Sequence, residues 1–211
     1  MAGGAADRCV NKQATELTMP TLSRRTVVAL ACGGLWTLTG CAAKPQLTGV
    51  DPAYQRTVVS YPTRQPPGTI VVNTSEHFLY LVEQGGSALR YGVGVGGEGF
   101  GWSGMATVHS KQQWPDWRPT NEYLQRRPEL RPNLNELDNG VGMVGGPANP
   151  LGARALYLWQ GNKDTLYRIH GTNEPWTIGK NVSAGCIRLT NEDIIDLYDR
   201  TPVGTKVVVL Q

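Results

Sequence analysis

The 211-residue chain carries 20 Lys and Arg against 17 Asp and Glu, a formal charge of +3, with 40% hydrophobic residues, three His and four Cys. That balance excludes a disordered chain, and it lacks the concentrated basic face of a nucleic-acid binder, so no nucleic-acid partner is expected. His77, His109 and His170 have no ligand-like spacing, so neither a metal nor a cofactor is expected.

Residues 1–41 read as a signal segment. Ser23-Arg24-Arg25 precedes an apolar run from Val27 to Leu38, then Leu38-Thr39-Gly40-Cys41. A basic patch, a short apolar stretch and small residues before a cut are the parts of a secretory signal. The run is shorter than the roughly 20 apolar residues of a membrane-spanning helix. Leu-Thr-Gly-Cys resembles a bacterial lipobox, with Cys41 as the acylated mature N-terminus, and the paired arginines resemble a twin-arginine export signal. Residues 1–18 resemble no signal, so Met19 offers an internal start. Processing at Cys41 removes Arg8, Lys12, Arg24 and Arg25 with Asp7 and Glu16, leaving 16 basic and 15 acidic residues. It also removes Cys9 and Cys32, so Cys186 becomes the one free thiol and no disulfide framework is possible. A lipid-anchored protein on the periplasmic side of a bacterial envelope is expected. Ala42 does not match the inner-membrane retention signal of enteric bacteria, which favours the outer membrane.

Residues 42–67 read as a tether, punctuated by Lys44-Pro45, Asp51-Pro52, Tyr61-Pro62 and Pro66-Pro67, with a short apolar Thr57-Val58-Val59 that can pair. A domain over 68–211 follows. Thr69–Asn73, Phe78–Val82 and Ala88–Val95 read as strands joined by polar turns, a β-meander. Met105–His109 is a further strand. Residues 111–150 change character, with a rigid aromatic Trp114-Pro115-Asp116-Trp117-Arg118-Pro119, a short helix over 121–127 capped by Thr120, and a glycine-rich loop. So long and irregular a segment in a compact domain reads as a lid. Strands return at Arg154–Trp159 and Thr165–His170. Thr190-Asn191-Glu192-Asp193 caps a helix bearing Ile194, Ile195, Leu197 and Tyr198, and Thr205–Leu210 is the final strand.

The chemistry gathers near the C-terminus. His170-Gly171-Thr172-Asn173 is followed by Ser183-Ala184-Gly185-Cys186-Ile187-Arg188-Leu189, with the His 16 positions before the Cys. A thiol is strongly nucleophilic only as thiolate, so Cys186 needs a base or a positive setting. His170 supplies the base and Arg188 a charge. Gly185 permits a tight turn that aims successive N–H groups at one point, as an oxyanion hole requires. Trp114 and Trp117 offer stacking faces for sugar or peptide.

These residues resemble the L,D-transpeptidase catalytic domain (YkuD type) of bacterial cell-wall enzymes. His170-Gly171 and Ser183-x-Gly185-Cys186-Ile187-Arg188 carry the resemblance, with support from Asn149-Pro150-Leu151-Gly152 and Gly204-Thr205. The sequence departs from the family pattern at Ala184, where several relatives carry His, and at Trp102–Thr107. The resemblance implies a mainly β fold, a β-sandwich or mixed sheet with one helix from the C-terminal region packed on it. It implies acyl transfer on peptidoglycan stem peptides: Cys186 attacks the carbonyl of the third stem residue, D-alanine leaves, and an amine takes the acyl group from the thioester. In that scheme His170 is the base, the Gly171 carbonyl its partner, and the N–H groups of Ala184, Gly185 and Cys186 the oxyanion donors. Ser183 falls to substrate binding, and Arg188 orients either the motif or a substrate carboxylate, a structural salt bridge being its other reading. The acceptor stays open between a second stem peptide, an amine of an envelope protein, a free D-amino acid and water.

Other readings are separable. Papain-like peptidases place Cys before His. Sortase-like transpeptidases have a longer His–Cys separation and a more distant Arg. A hydrolase acting as L,D-carboxypeptidase or amidase would pass the acyl group to water. A non-enzymatic peptidoglycan-binding lipoprotein would need no His–Cys pair.

Overall fold

The computed structural model describes residues 49–97, 101–138 and 140–211. The signal segment with Cys41 and the first residues of the tether lie outside the described residues. The strands are β1 (Thr57–Ser60), β2 (Ile70–Asn73), β3 (Phe78–Val82), β4 (Ser87–Gly92), β5 (Val95–Gly96), β6 (Gly104–Gln113), β7 (Asn135–Leu137), β8 (Gly140–Gly142), β9 (Arg154–Gln160), β10 (Lys163–His170), β11 (Asn181–Ser183), β12 (Ile187–Arg188) and β13 (Lys206–Leu210). The helices are α1 (Asn121–Arg126) and α2 (Asn191–Arg200). Nine strands form one mixed sheet in the order β1-β4-β3-β2-β13-β6-β9-β10-β12, parallel at β2–β13 and β10–β12. An isolated bridge from Gly94, just past β4, to Arg188 in β12 links the far edge back toward the other end, so the sheet wraps around its core. The mainly β, mixed-sheet expectation holds.

The two-residue period of the strands sets the packing. Ile70, Val72, Leu79, Leu81, Leu89, Tyr91, Val207 and Val209 point to one face and join Leu156, Leu158, Ile169, Ile187 and Leu189 in the main core. The intervening Val71, Tyr80, Val82 and Ala88 point to the other face and form a smaller cluster. Helix α2 lays Ile194 and Leu197, both 0% exposed, onto the main core. Burial of one such side chain contributes about 1.5–3 kcal/mol. Thr190 caps its start by accepting from Asp193 N at 3.1 Å. Lys111 Nζ closes its end, donating to the carbonyls of Tyr198 and Thr201 at 2.6 and 2.7 Å. A cation there also complements the helix dipole.

Two expectations are corrected. The described part of the predicted tether is built into the domain. β1 pairs antiparallel with β4, covering an edge that would otherwise be open. Tyr61 stacks on Tyr80 with ring centroids 4.4 Å apart, and Arg56 pairs with Asp196 at 2.9 Å. Tyr54 lies against Gly92, where an added Cβ would come within 2.4 Å of the Tyr54 Cβ. Proline spacing suggested a tether; the apolar Thr57-Val58-Val59 was legible as a piece that can pair, but its partner, β4, was not. The 111–150 segment is also more ordered than expected. β6 runs on to Gln113 and β7–β8 make a small hairpin, while the expected helix forms as α1 with Thr120 as its cap.

If residues 49–61 are part of the domain, a chain beginning at Pro62 unfolds well below one beginning at Gly49. A loss near 2 kcal/mol lowers the midpoint by about 4–8 °C in a domain of this size. Equal melting of the two chains by circular dichroism would return the segment to a tether.

Candidate active site

Parallel neighbours in a sheet need a crossover of a dozen or more residues. The stretch between His170 and Cys186 is that crossover. β10 ends at His170, the chain passes through a short 3-10 turn (Pro175–Thr177) and β11, and returns as β12 beside β10. The register pairs Ile169 with Ile187 and His170 with Arg188, which sets Cys186 one residue before the paired stretch. Both His170 and Cys186 line one cavity of about 390 Å³.

His170 is buried, at 4% exposure. Its Nδ1 lies 2.6 Å from the Gly171 carbonyl oxygen, as the resemblance implied. That acceptor requires the proton on Nδ1 and leaves Nε2 as the basic nitrogen. Burial pushes the ring well below its ordinary value, to about 3, helped by the Arg188 and Arg168 charges and opposed by the carbonyls of Gly171 and Leu151. Cys186 is half-buried. Burial pushes its thiol up. The Arg168 backbone N–H and the Arg168 and Arg188 charges favour the thiolate but do not outweigh burial. Burial therefore favours a neutral thiol beside a neutral imidazole at rest.

Several assigned roles change. Gly185 adopts φ +113°, a region that favours glycine, so the tight turn is real. Its N–H, however, donates to Ser183 Oγ at 3.1 Å, and Ser183 Oγ donates to the Cys186 carbonyl at 2.5 Å. The Gly185 amide thus serves the turn and not an oxyanion, which leaves Ala184 and Cys186 as the candidate donors. Ser183 lines the cavity, but its hydroxyl is committed to the motif and not to substrate. Arg188 is 7% exposed and donates from its guanidinium to Glu174 Oε2 at 3.1 Å. It is held by a carboxylate of its own chain, with its buried Nε lacking a protein partner.

The lid contributes Trp117, Arg118, Tyr123 and Arg126 to the cavity wall. Trp117 meets Tyr123 edge-on, with centroids 5.7 Å apart. Trp114 is not among the residues lining the cavity; its side chain is 42% exposed. Trp117 and Met143 exchange backbone bonds at 2.9 and 2.8 Å, and Trp114 N donates to the Ala153 carbonyl at 2.8 Å. Among the described residues no three His, Cys, Asp or Glu side chains cluster as a metal would need.

Sequence reasoning assigned no part to four residues that build this site. Asn149 is fully buried; its Nδ2 donates to the carbonyls of Pro115, Met143 and Val144 and its Oδ1 accepts from Leu151 N. It holds both limbs of the lid to the wall beside His170. Asn191 Oδ1 accepts from Ala153 N at 2.8 Å. Glu174 and Arg168 act as described above. Asn149 and Asn191 lay in motifs that drew attention for other reasons; Glu174 and Arg168 are ordinary polar residues until the fold pairs them.

Residues 67–209 match the family model described as the L,D-transpeptidase catalytic domain, YkuD. The chain is 37% identical over 148 residues to "Probable L,D-transpeptidase ErfK/SrfK" of Escherichia coli K12, covering 67% of this chain and 43% of that protein. It is 38% identical over 141 residues to "Probable L,D-transpeptidase YbiS" of the same strain, covering 65% and 43%. The chain thus spans less than half the length of these curated relatives. Among solved structures, it is 51% identical to one from Brucella melitensis described as a "Probable carnitine operon oxidoreductase caia", covering 76% of this chain and 96% of that one at a TM-score of 0.50.

The neutral pair contributes to the pH dependence of folding. Between about 3 and the ordinary 6.5, His170 takes a proton only in the unfolded chain, so stability falls as pH drops through that window. Above the ordinary thiol value of 9, the unfolded chain loses the Cys186 proton first, so stability falls as pH rises. Melting temperature should decline less between pH 6.5 and 4 for His170→Gln than for the wild type. Equal slopes would mean that His170 is not buried as a neutral ring.

Proposed function

Since the chain belongs to the L,D-transpeptidase catalytic-domain family, we propose that it is a cysteine acyltransferase acting on peptidoglycan stem peptides. The observation that carries this reading is the Cys186–His170 pair on one cavity wall, with His170 Nδ1 tied to the Gly171 carbonyl. Nε2 takes the thiol proton as the sulfur attacks the carbonyl of the third stem residue. The proton passes to the departing D-alanine amine, and a thioester remains. An amine then attacks the thioester, its proton returns through His170, and Cys186 is released. The backbone N–H groups of Ala184 and Cys186 are the candidates to meet the carbonyl oxygen as it becomes negative.

A base held near 3 does not ionise the thiol in advance. Proton transfer accompanies attack, so the N–H donors must stabilise the charge that develops. The cleft admits an extended peptide between the lid residues Trp117, Arg118 and Arg126 and the motif. The acceptor is an amine, either of a second stem peptide, giving a crosslink, or of an envelope protein.

Cys186→Ala should abolish release of D-alanine from a disaccharide-tetrapeptide. His170→Ala should slow it about 10²–10⁴-fold. Product analysis by mass spectrometry separates the outcomes. A crosslinked or amine-adducted product supports transfer, a free tripeptide alone makes the protein a hydrolase, and wild-type turnover by Cys186→Ala removes the nucleophile assignment.

Attachment is part of the same proposal. Cys41 carries lipid and holds the domain on the periplasmic side of the envelope, in the outer membrane. Metabolic labelling with a fatty-acid analogue should mark the wild type and not Cys41→Ser. Equal labelling of both refutes the lipobox, and labelled protein fractionating with the inner membrane corrects the placement.

A further inference from the structure

Three described non-glycine residues, His77, Trp114 and Leu166, have positive φ. Of these, Leu166 alone lines the catalytic cavity. Its φ is +63° and it is 74% exposed, the highest value among the large exposed hydrophobics of the described residues. Left-handed backbone is unfavourable for leucine and is the ordinary province of Gly and Asn. The side chain buries little in its own fold to offset it. Neither local preference nor packing accounts for this residue in this conformation.

The surrounding bonds enforce it. The β9–β10 register breaks between Asp164 and Arg168, a bulge within the pairing. Asp164 Oδ1 accepts from Leu166 N at 2.8 Å, and both Asp164 oxygens accept from the Arg168 guanidinium at 2.7 and 2.8 Å. Thr165 Oγ1 donates to the Leu158 carbonyl at 2.5 Å and accepts from Tyr167 N at 3.1 Å. Arg168 in turn lies over the Tyr157 ring, 4.5 Å from its centroid. Bulges re-aim side chains next to active sites, and backbone strain held by its surroundings gathers at places that meet ligand. The same bulge leads into Arg168, whose backbone N–H addresses the Cys186 thiol.

We infer that Leu166 is a specificity-determining contact for the acyl donor, meeting the aliphatic side chain of its third residue, a diamino acid; this rests on the transfer reaction proposed above. The cavity offers such a chain an apolar lip at Leu166 together with the Tyr167 and Tyr123 rings, and, where the diamino acid is a dicarboxylic one, guanidinium groups on Arg118 and Arg126 toward the carboxylate at its far end. An alanine in the third position reaches none of this apolar lip. Leu166 therefore separates long donors from short ones, and it does so through binding and not through the thiol.

The test compares Leu166→Gly and Leu166→Met with the wild type on two tetrapeptides, one with a diamino acid third and one with alanine third. Glycine accepts the backbone conformation, so Leu166→Gly should melt no lower than the wild type, and iodoacetamide should alkylate Cys186 at an unchanged rate. For the diamino acid peptide, kcat/KM should fall about tenfold, as loss of a small apolar contact does. The fall should appear in KM, with no change for the alanine peptide. Leu166→Met should keep the wild-type preference. Equal losses on both peptides, or no loss on either, would overturn the inference. If the wild type releases no D-alanine at all, the proposed reaction fails, and Leu166 is then read by calorimetric binding of the diamino acid peptide to Cys186→Ser with and without Leu166→Gly. Equal affinity there overturns the inference, and a weakening near tenfold sustains the contact.

Discussion

The site depends on a two-residue strand. β12 holds only Ile187 and Arg188, too short to be stable by itself, and it is clamped from both sides. Leu189 N donates to the His170 carbonyl at 2.8 Å on one side, and Gly94 and Arg188 exchange backbone bonds at 2.9 and 2.8 Å on the other. Ile187 and Leu189 then enter the main core, at 1% and 0% exposure. Cys186 stands at the mouth of this clamp, so its place relative to His170 follows from backbone pairing and not from any bond between the two side chains. The wrapping of the sheet follows from the same contact, since Gly94 comes from the opposite end of the strand order.

The clamp also explains the electrostatics. A thiol and an imidazole placed at the end of a core strand lose water, and burial penalises the charged form of each. Two arginines lie near, yet both are occupied, Arg188 with Glu174 and Arg168 with Asp164. Paired guanidinium groups exert less net field on the thiol than free ones. Burial thus favours an uncharged couple at rest, and in the proposed reaction fixed backbone dipoles are what would meet the charge that develops. Such dipoles cost no reorganisation when charge develops.

Much of this was legible along the chain. The period-2 runs marked β2, β3, β9, β10 and β13, and Thr190 with Asp193 marked the start of α2, because each signal lies within a few residues. The Cys–His couple was legible because a thiol, a small turn residue and a His at strand ends are chemically distinctive. What escaped was long-range. β1 is four residues of unremarkable composition whose partner lies some thirty residues on, in β4. Glu174 is one acidic residue among seventeen until the crossover brings it to Arg188. The bulge at 164–168 hides inside a run that alternates well enough to pass for a regular strand. Ser183 was misassigned for a related reason: sequence places a hydroxyl near the thiol but does not say which neighbour it serves.

These reassignments share a direction. Ser183 was read as a group facing substrate, Gly185 as an oxyanion donor and Arg188 as orienting the motif or a substrate carboxylate, and each is bonded to the chain that carries Cys186. A motif used in this way holds the nucleophile still and leaves few polar groups over for recognition. Recognition then falls to the other walls of the cavity, which are the lid from Trp117 to Arg126 and the bulged turn of β10. Both are fastened by bonds that a mere connection would not need: Asn149 satisfies three lid carbonyls at once, and Asp164 satisfies both a backbone amide and a guanidinium. Under the proposed reaction, fixed geometry in the motif would serve chemistry common to any donor, while the fastened walls would carry the side chains that distinguish one donor from another. On this argument specificity is altered by substitutions in 117–126 or 164–167, and substitutions between Ser183 and Arg188 act on the reaction itself.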